Sequence, residues 1–300
     1  MGATLRAGLV QARTGIAPAA NAAWMHRALE RLAADGAEIT FTPEMSGLLD
    51  RDRQRLLANA PAEADEPTLA AAREVSAQTG MWIAIGSLAV RTSAPAPAGE
   101  VAAPAAGGGD EEAAGVGAPL LANRSFLIDG TGAIAARYDK IHRFDVDLGP
   151  GQRYRESATF AAGSQAVVAD TPWGRLGLSV CYDLRFNALY DAYAEAGATL
   201  IAIPAAFTRP TGEAHWHTLQ RARAILGQCF VLAAAQCGRH EDGRETYGHG
   251  LAIGPWGEVL LDMGDSGPGT AIVELPLGAV AETRAKLPAL AHRRPFNPSA

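Results

Sequence analysis

The sequence predicts an α/β protein in which helices flank mixed β-sheets. Three features indicate this class: strands alternate with amphipathic helices in the first third of the chain, hairpins follow, and helix–strand pairs alternate again after residue 186. Of the 300 residues, 48% are hydrophobic and 19% are charged. This composition supplies a core and excludes a chain that is disordered throughout.

The first third of the chain predicts strands that run parallel to one another. Residues 4–12, TLRAGLVQA, alternate like a strand, and apolar residues then recur at helical spacing as far as Gly36, a typical helix terminator. The next strand is EITFTPE at 38–44. Pro67 then begins a helix that leads into the strand MWIAIGSLAV at 81–90.

The middle of the chain predicts an insertion followed by hairpins. Residues 93–119 hold 10 Ala, 6 Gly and 4 Pro in 27 positions, so we expect a disordered surface insertion there. Glycine-containing turns between alternating apolar runs predict hairpins at 122–138, 166–180 and 250–262. Between the last two hairpins we expect helices at 187–197 and 212–227 and strands at 198–204 and 229–237.

Charge and cysteine content narrow the partners and the compartment. The net charge is −6 without a basic block, which argues against nucleic acid. No apolar run reaches the length of a membrane span, and the start of the chain does not resemble a signal peptide. The three cysteines, an odd number, favour free thiols in a reducing compartment. We therefore expect a cytoplasmic protein that binds neither membrane nor nucleic acid.

Cys181 is a candidate nucleophile because it lies between the strand RLGLSV and a helix. A helix N-terminus lowers the pKa of a thiol, although many buried cysteines are inert core residues. A thiol usually needs a base, and His142, His240 and His249 leave a Cys–His mechanism open. Two further histidines, His215 and His217, are two residues apart in a helix and form a poor metal pair.

Three charged residues lie where a cleft would form. Glu44 follows a predicted strand, and active sites of α/β sheets gather at the carboxyl ends of strands. Lys140 follows a hairpin strand and would stabilise an oxyanion, and Glu156 lies in a comparable loop. Each of the three also fits a solvated surface position, so none is persuasive alone.

Four segments in order resemble the nitrilase (carbon–nitrogen hydrolase) superfamily: FTPEMSGLL, RYDKIHRFDVDL, GLSVCYDLRFNALYDAYAEAGATLIAIPAAF and TGEAHWHTLQRARA. The resemblance covers nearly the whole chain except residues 93–119. It implies a four-layer αββα sandwich in a single domain over residues 1–300. Members usually pair, which implies a homodimer or a larger homo-oligomer. The apolar side of helix 187–197, formed by Leu189, Tyr190 and Tyr193, would either contact a second subunit or pack into the core of its own chain.

The resemblance assigns catalytic roles to four residues. Glu44 would act as the base, Cys181 as the nucleophile, and Lys140, with the backbone N–H of Tyr182, as the oxyanion site; Glu156 matches an additional glutamate. The separation of 96 residues between Glu44 and Lys140 is long for the family, but falls to 69 when the 27-residue insertion is removed. No metal or other cofactor is implied.

Within this family, the omega-amidase and deaminated glutathione amidase branch is the most similar, judged by the segments KIHRFDVDL, CYDLRF and PTGEAHW. That similarity implies hydrolysis of a terminal amide on a small carboxylate substrate, such as 2-oxoglutaramate or deaminated glutathione, with release of ammonia. The alternatives are an N-carbamoyl amine or another aliphatic amide as substrate, or a binding scaffold with this fold. A redox thiol protein is disfavoured because the chain lacks a C-x-x-C motif.

A substrate carboxylate would be bound by arginine, which forms bidentate contacts with it. Arg185 is the first candidate and Arg209 the second, although salt bridges with Asp183 or Glu213 are equally reasonable for them. The remaining candidate substrate-binding residues are Tyr182, Phe207 and Thr208.

Overall fold

Two β-sheets pack face to face, and helices cover both outer faces. The computed structural model describes residues 3–92, 121–149 and 153–297, so the predicted insertion at 93–119 lies outside the described residues. The layers run helix, sheet, sheet, helix. This arrangement is the αββα sandwich that the sequence predicts.

The strands are short, and most are those that alternation predicts. In chain order they are β1 (Thr4–Gln11), β2 (Ile39–Phe41), β3 (Trp82–Arg91), β4 (Leu121–Ile128), β5 (Ile134–Asp139), β6 (Asp145–Asp147), β7 (Arg153–Arg155), β8 (Phe160–Ala161), β9 (Val167–Thr171), β10 (Gly174–Leu178), β11 (Leu200–Ala202), β12 (Phe230–Ala233), β13 (Cys237–Arg239), β14 (Glu245–Tyr247), β15 (Leu251–Ile253), β16 (Val259–Asp262) and β17 (Gly269–Pro276).

Both large sheets are mixed. The first has the order β17-β1-β2-β3-β4-β5 with β8 beside β4, and its β1, β2 and β3 are parallel. The second has the order β16-β15-β12-β11-β10-β9, with β10, β11 and β12 parallel. All three predicted hairpins are present as the antiparallel pairs β4–β5, β9–β10 and β15–β16. Each half of the sandwich therefore combines parallel strands with hairpins.

Six α-helices surround the sheets within the described residues. They are α1 (Pro18–Ala34), α2 (Arg53–Asn59), α3 (Pro67–Thr79), α4 (Asn187–Glu195), α5 (Arg209–Gly227) and α6 (Gly278–Lys286). Helix α3 begins at Pro67 as predicted and is followed by Gly80, whose φ of 79° is in the left-handed region that glycine adopts without strain. Helix α5 starts three residues earlier than its pattern predicts, because Pro210 occupies the first turn.

Alternation along the strands divides the apolar residues between two cores. Leu5 and Leu9 of β1 pack in one cluster with Leu178 of β10, which fills the space between the sheets. Val10 belongs to a second cluster, beneath α1 and α3. Successive strand residues face opposite sides of a sheet, so one strand serves both cores.

One expectation about individual residues needs correction, and one open alternative is decided in favour of core packing. Cys229 and Cys237 do not share a strand: Cys229 precedes β12 and Cys237 begins β13, and both thiols are free and buried. The side chains of Leu189, Tyr190 and Tyr193 in α4 are buried in the core, so they are not an exposed contact face. The apolar stripe on α4 is needed for packing onto its own sheet.

The fold places the ends of three strands at one opening of the sandwich. Glu44 follows the end of β2 by three residues, Lys140 directly follows β5, and Cys181 follows the end of β10 by three residues. Strands β2 and β10 belong to different sheets, so the face-to-face packing brings these side chains together from both.

Candidate active site

Lys140 lies between two carboxylates in a buried cluster. Its Nζ is 2.9 Å from Glu44 Oε1 and 3.0 and 2.9 Å from the two carboxylate oxygens of Glu156. The side chain of Lys140 is 3% exposed and that of Glu44 6%. The low exposure keeps water from screening the charges, so the ion pairs fix the geometry of the cluster.

Cys181 completes the cluster from the opposite sheet. Its backbone φ is 51°, which is rare for a residue with a Cβ, and its N–H donates to the Pro204 carbonyl at 2.8 Å. The thiol lies next to the Glu44 carboxylate and interacts with it electrostatically, and the Ala206 N–H donates to Glu44 Oε2 at 2.9 Å. The strained turn therefore directs the sulphur at a carboxylate that is already oriented.

The three buried groups shift one another's pKa values. Burial opposes ionisation of Glu44, but the Lys140 ammonium and the hydrogen bonds to the carboxylate outweigh it and lower its pKa. Burial also opposes the charge on Lys140, yet Glu156 and Glu44 raise its pKa well above the usual value. The resting cluster therefore holds two carboxylates around one ammonium.

The thiol of Cys181 behaves differently from the sequence-based expectation. Position at a helix N-terminus predicts a lowered thiol pKa, whereas burial first and the negative charge of Glu44 second raise it well above the usual value. Cys181 starts only a short 3-10 turn, Cys181–Arg185, rather than a long helix. The raised pKa therefore favours a neutral thiol at Cys181.

Asn123 joins the two carboxylates, and sequence reasoning missed it. Its Nδ2 donates to Glu44 Oε1 and to Glu156 Oε1, at 3.0 Å each. The Asn123 carbonyl also accepts the N–H of Lys140 at 3.0 Å. A buried asparagine on the predicted strand β4 was the available signal, because amides are rarely buried without a partner.

Asp183 ties the nucleophile turn to the lysine loop. Its fully buried carboxylate accepts hydrogen bonds from Tyr138 Oη at 2.6 Å, the Val180 N–H at 2.9 Å and the His142 N–H at 3.0 Å. The His142 ring also lies against it, with Nδ1 at 2.7 Å, and stacks on Phe186. The two loops that carry Lys140 and Cys181 therefore share one anchor.

The cluster forms the floor of a cavity of about 280 Å³. Glu44, Lys140, Glu156 and Cys181 all line it, as do Tyr182, Phe207 and Thr208. Six arginines line the cavity but only three acidic residues; the arginines are Arg51, Arg53, Arg153, Arg155, Arg185 and Arg244. The surplus of positive charge favours an anionic ligand.

The structure separates the two candidate carboxylate anchors. Arg185 lines the cavity, with its guanidinium 5.9 Å from the Tyr182 ring centroid and 5.6 Å from that of Phe207. Its side chain hydrogen-bonds to His215 Nδ1 at 3.2 Å, and Asp183, which the sequence offered as a salt-bridge partner, pairs with His142 instead. Arg185 is thus positioned to receive a ligand carboxylate.

Arg209 is not among the residues that line the cavity. Its guanidinium lies within 4 Å of three acidic side chains, those of Glu213, Glu245 and Asp265. The structure therefore does not bring this candidate to the site. The spacing of four residues to Glu213 on one helix face already allowed the pairing.

The histidines do not contact the thiol within the described part of the chain. None lines the cavity: His142 pairs with Asp183, His240 bonds to Thr14 and Thr246, and His249 pairs with Asp262. The geometry thus favours a carboxylate over an imidazole as the base next to Cys181.

Comparison with known proteins identifies the class. The carbon–nitrogen hydrolase family model matches residues 6–285. The chain belongs to this family and is a hydrolase of carbon–nitrogen bonds. It is 40% identical to a deaminated glutathione amidase of Yersinia enterocolitica over 260 residues, which are 86% of this chain and 82% of that protein. It is 35% identical to the Homo sapiens deaminated glutathione amidase over 268 residues, 87% of this chain and 73% of that one.

Solved structures share the fold. The C. elegans NitFhit protein superposes with a TM-score of 0.82 at 31% identity, and the match covers 98% of this chain and 66% of that one. A mutant amidase of Nesterenkonia sp. AN1, with acrylamide added to its active-site cysteine, has a TM-score of 0.71 at 25% identity over 95% of this chain and 98% of that one. Within the described ranges, the chain has no helix that is long and apolar enough to cross a bilayer.

Proposed function

We propose that this chain is an amidase that forms a thioester on Cys181 and acts on a small substrate bearing a carboxylate. The observation that most strongly supports this proposal is the buried contact between the Cys181 thiol and Glu44, whose carboxylate is held by Lys140 at 2.9 Å. A thiol beside an oriented base is the arrangement that nucleophilic catalysis needs. The relatives named deaminated glutathione amidase support the same chemistry.

In the first half of the reaction, Glu44 takes the thiol proton while the sulphur attacks the amide carbon. The raised pKa of the thiol means that proton loss accompanies attack rather than preceding it. The carbonyl oxygen becomes an oxyanion, which Lys140 Nζ and the Tyr182 N–H stabilise. Glu44 then returns the proton to the departing nitrogen, the carbon–nitrogen bond breaks, and the acyl group remains on sulphur.

In the second half, water hydrolyses the thioester. Glu44, ionised again, takes a proton from the water as its oxygen attacks the acyl carbon, and the proton passes to the sulphur as the acid leaves. Glu156 touches Lys140 through both oxygens and accepts the Phe144 N–H at 2.6 Å. We assign Glu156 the role of holding Lys140 in place through both steps.

The carboxylate of the substrate is assigned to Arg185. Its guanidinium lines the cavity next to Tyr182 and Phe207, and it has no acidic partner within the described residues. A guanidinium with open donors binds a carboxylate in a bidentate manner. Substrates of the 2-oxo acid amide type fit this site because the carboxylate and the scissile amide lie in one small molecule.

The nature of the leaving group decides which assay is suitable. 2-Oxoglutaramate carries a primary amide, so its hydrolysis releases ammonia. Deaminated glutathione has no primary amide, and cleavage next to its oxo-acid part releases the amine of cysteinylglycine instead. Ammonia detection alone therefore misses this substrate, and the expectation of ammonia release is restricted to primary amides.

The test is a substrate panel with two detection methods. Ammonia is measured with 2-oxoglutaramate, simple aliphatic amides, N-carbamoyl amino acids and nitriles, and new primary amine is measured with deaminated glutathione. Turnover of an oxo-acid amide, lost in Cys181→Ala, supports the proposal. Turnover of other compounds alone refutes the substrate class but keeps the chemistry, and silence throughout favours a binding scaffold.

Lys140→Met tests the role assigned to the lysine. Loss of one oxyanion donor costs about 10²–10³ in kcat in other acyl-transfer enzymes. We expect at least that loss here, because Lys140 also holds Glu44. Unchanged amide turnover in this variant would refute the oxyanion role.

We also propose that the chain acts in the cytoplasm as a homodimer or a larger homo-oligomer. This proposal follows from the resemblance and from the cysteine content, which suits a reducing compartment. Light scattering of the purified protein gives the oligomeric state directly. A monomer at all protein concentrations would contradict the proposed oligomeric state.

A further inference from the structure

Away from the cavity, two histidines and an aspartate converge on one point. His217 Nε2 is 3.0 Å from Asp262 Oδ2, and His249 Nδ1 is 2.9 Å from Asp262 Oδ1. The three donor atoms all lie within 4.8 Å of one another. The three residues come from different elements: His217 from α5, His249 from the loop before β15, and Asp262 from the end of β16.

We propose that His217, His249 and Asp262 bind a divalent cation of borderline softness, with Zn²⁺ as the ion that fits best. Imidazole nitrogen and carboxylate oxygen are ordinary zinc ligands. Tetrahedral coordination at about 2.0–2.1 Å places ligand atoms about 3.3 Å apart, a few tenths of an ångström more than the two histidine–aspartate distances. Three protein ligands leave the fourth position for water.

The ligands are held by their surroundings, which reduces the cost of assembling the site. His249 has a φ of 53° and donates its N–H to the Gly264 carbonyl at 2.8 Å. The carbonyl of His249 accepts the indole N–H of Trp216 at 2.8 Å, and the Tyr247 ring stacks on its imidazole at 4.4 Å. Preorganised ligands of this kind favour metal binding because little order must be created when the ion arrives.

Access and charge also suit a cation. The side chains of His217, His249 and Asp262 are 35%, 22% and 34% exposed, so an ion reaches them from solvent. Near the site, four carboxylates outnumber one guanidinium: Arg209 lies within 4 Å of Glu213, Glu245 and Asp265, and Asp262 adds a fourth negative charge. The local field therefore favours positive charge.

Without an ion, the same atoms form a simple hydrogen-bonded group. Each ring donates an N–H to Asp262 in that case, and both protons must move to the opposite nitrogen or leave before a metal takes the lone pairs. A purely structural group would bind no metal. A direct measurement of metal binding therefore distinguishes a metal site from a structural hydrogen-bonded group.

The test is uptake of Zn²⁺ by the full chain, measured by equilibrium dialysis. We use the Cys181→Ala chain as the parent so that the nucleophile cannot compete as a thiolate ligand. We expect one equivalent of Zn²⁺, its loss in Asp262→Asn, and a higher melting temperature with Zn²⁺ only where Asp262 is present. His217→Gln serves as a second variant, because it removes one ligand from a partly exposed position on α5.

The matched control is His26→Ala. His26 also lies beside carboxylates, with Nδ1 3.3 Å from Glu30 and Nε2 4.0 Å from Glu74, but it has no second histidine. It should leave zinc uptake unchanged. Co²⁺ provides a further readout, because coordination by nitrogen and oxygen gives d–d bands without a thiolate charge-transfer band.

Three results would overturn the proposal. They are no uptake by the parent, equal uptake by Asp262→Asn and the parent, and a thiolate band that places the ion on a cysteine. Since none of these measurements depends on amide turnover, the zinc site and the proposed amidase activity stand or fall separately.

Discussion

Replacing Asn123 by leucine removes the amide that joins the two carboxylates of the site. The parent amide donates one hydrogen bond to Glu44 and one to Glu156, at 3.0 Å each, while its own Oδ1 is buried without a partner among the described residues. Leucine has nearly the same shape. The substitution therefore deletes two charge-assisted hydrogen bonds and one unsatisfied carbonyl.

The magnitudes predict a modest loss of stability but a large loss of activity. Two hydrogen bonds to charged groups stabilise by at least about 1.5 kcal/mol each, and removing a buried unpaired acceptor returns about 1–3 kcal/mol. From the lower bound of about 3 kcal/mol for the pair, the free energy of unfolding should thus fall by about 0–2 kcal/mol. Because Glu44 and Glu156 lose one of the two side chains that join them, and keep only Lys140, kcat/KM should fall about 100-fold, which is about 2.7 kcal/mol of transition-state stabilisation.

Two assays check this prediction: urea unfolding, and amide turnover as a function of pH. The Asn123 hydrogen bond helps to lower the pKa of Glu44, so its loss should move the acid limb of the kcat/KM profile to higher pH. Ser125→Ala is the matched control, because Ser125 lies two residues along β4 and its hydroxyl contacts the backbone carbonyls of Ile85 and Gly86 rather than either carboxylate. An unchanged acid limb in Asn123→Leu, or an equal shift in the control, would refute the reasoning.

Three further substitutions test other parts of the structure. Burial raises the pKa of Glu66 to about 7, so its favourable contribution to stability is complete below about pH 4.5 and lost as pH rises through 7. In the parent, the free energy of unfolding should be about 3 kcal/mol lower at about pH 8 than at about pH 5, and Glu66→Gln should remove this difference in urea unfolding. The same pH dependence in parent and variant would contradict the prediction. Arg185→Ala should raise KM for a carboxylate substrate about 10–100-fold but not for a simple amide, with Arg209→Ala as the unaffected control; equal KM values would exclude the anchor. In Gly86→Ala, the new Cβ would clash with the carbonyl oxygen of Thr42, so thermal unfolding should show a loss of about 3 kcal/mol in the free energy of unfolding. A loss below about 1 kcal/mol would show that the backbone moves to relieve the clash.

Most of the long elements were predictable because their patterns are local; the exceptions are β17 and α6, of eight and nine residues, which were not predicted. Helix α3 has a proline at its start and a left-handed glycine after its end, and the hairpins have glycine turns between alternating runs. Helix α2, of seven residues, and the pairs β6–β7 and β13–β14, with strands of three residues, were missed. Elements of that length hold too few residues to show a period.

The site was predictable in its residue types but not in its energetics. Glu44, Lys140 and Cys181 follow strand ends, which sequence shows, and the fold brings all three to one cavity. The predicted shift of the Cys181 pKa had the wrong sign. The pKa is raised by burial and by the charge of Glu44, and Glu44 is carried by the other sheet. Asn123 was missed because its partners lie 79 and 33 residues away along the chain.

The charges of the cluster explain why a raised thiol pKa suits this chemistry. Two carboxylates surround one ammonium, so the resting cluster already carries a net negative charge, and a thiolate would add a second one in a buried place. In the proposed mechanism, Glu44 takes the proton as the sulphur attacks, so one negative charge leaves the carboxylate while another appears on the oxyanion beside Lys140. The total charge of the site then stays constant through the step, which avoids the cost of a buried free thiolate. A neutral resting thiol is therefore a consequence of the same contacts that make the attack possible.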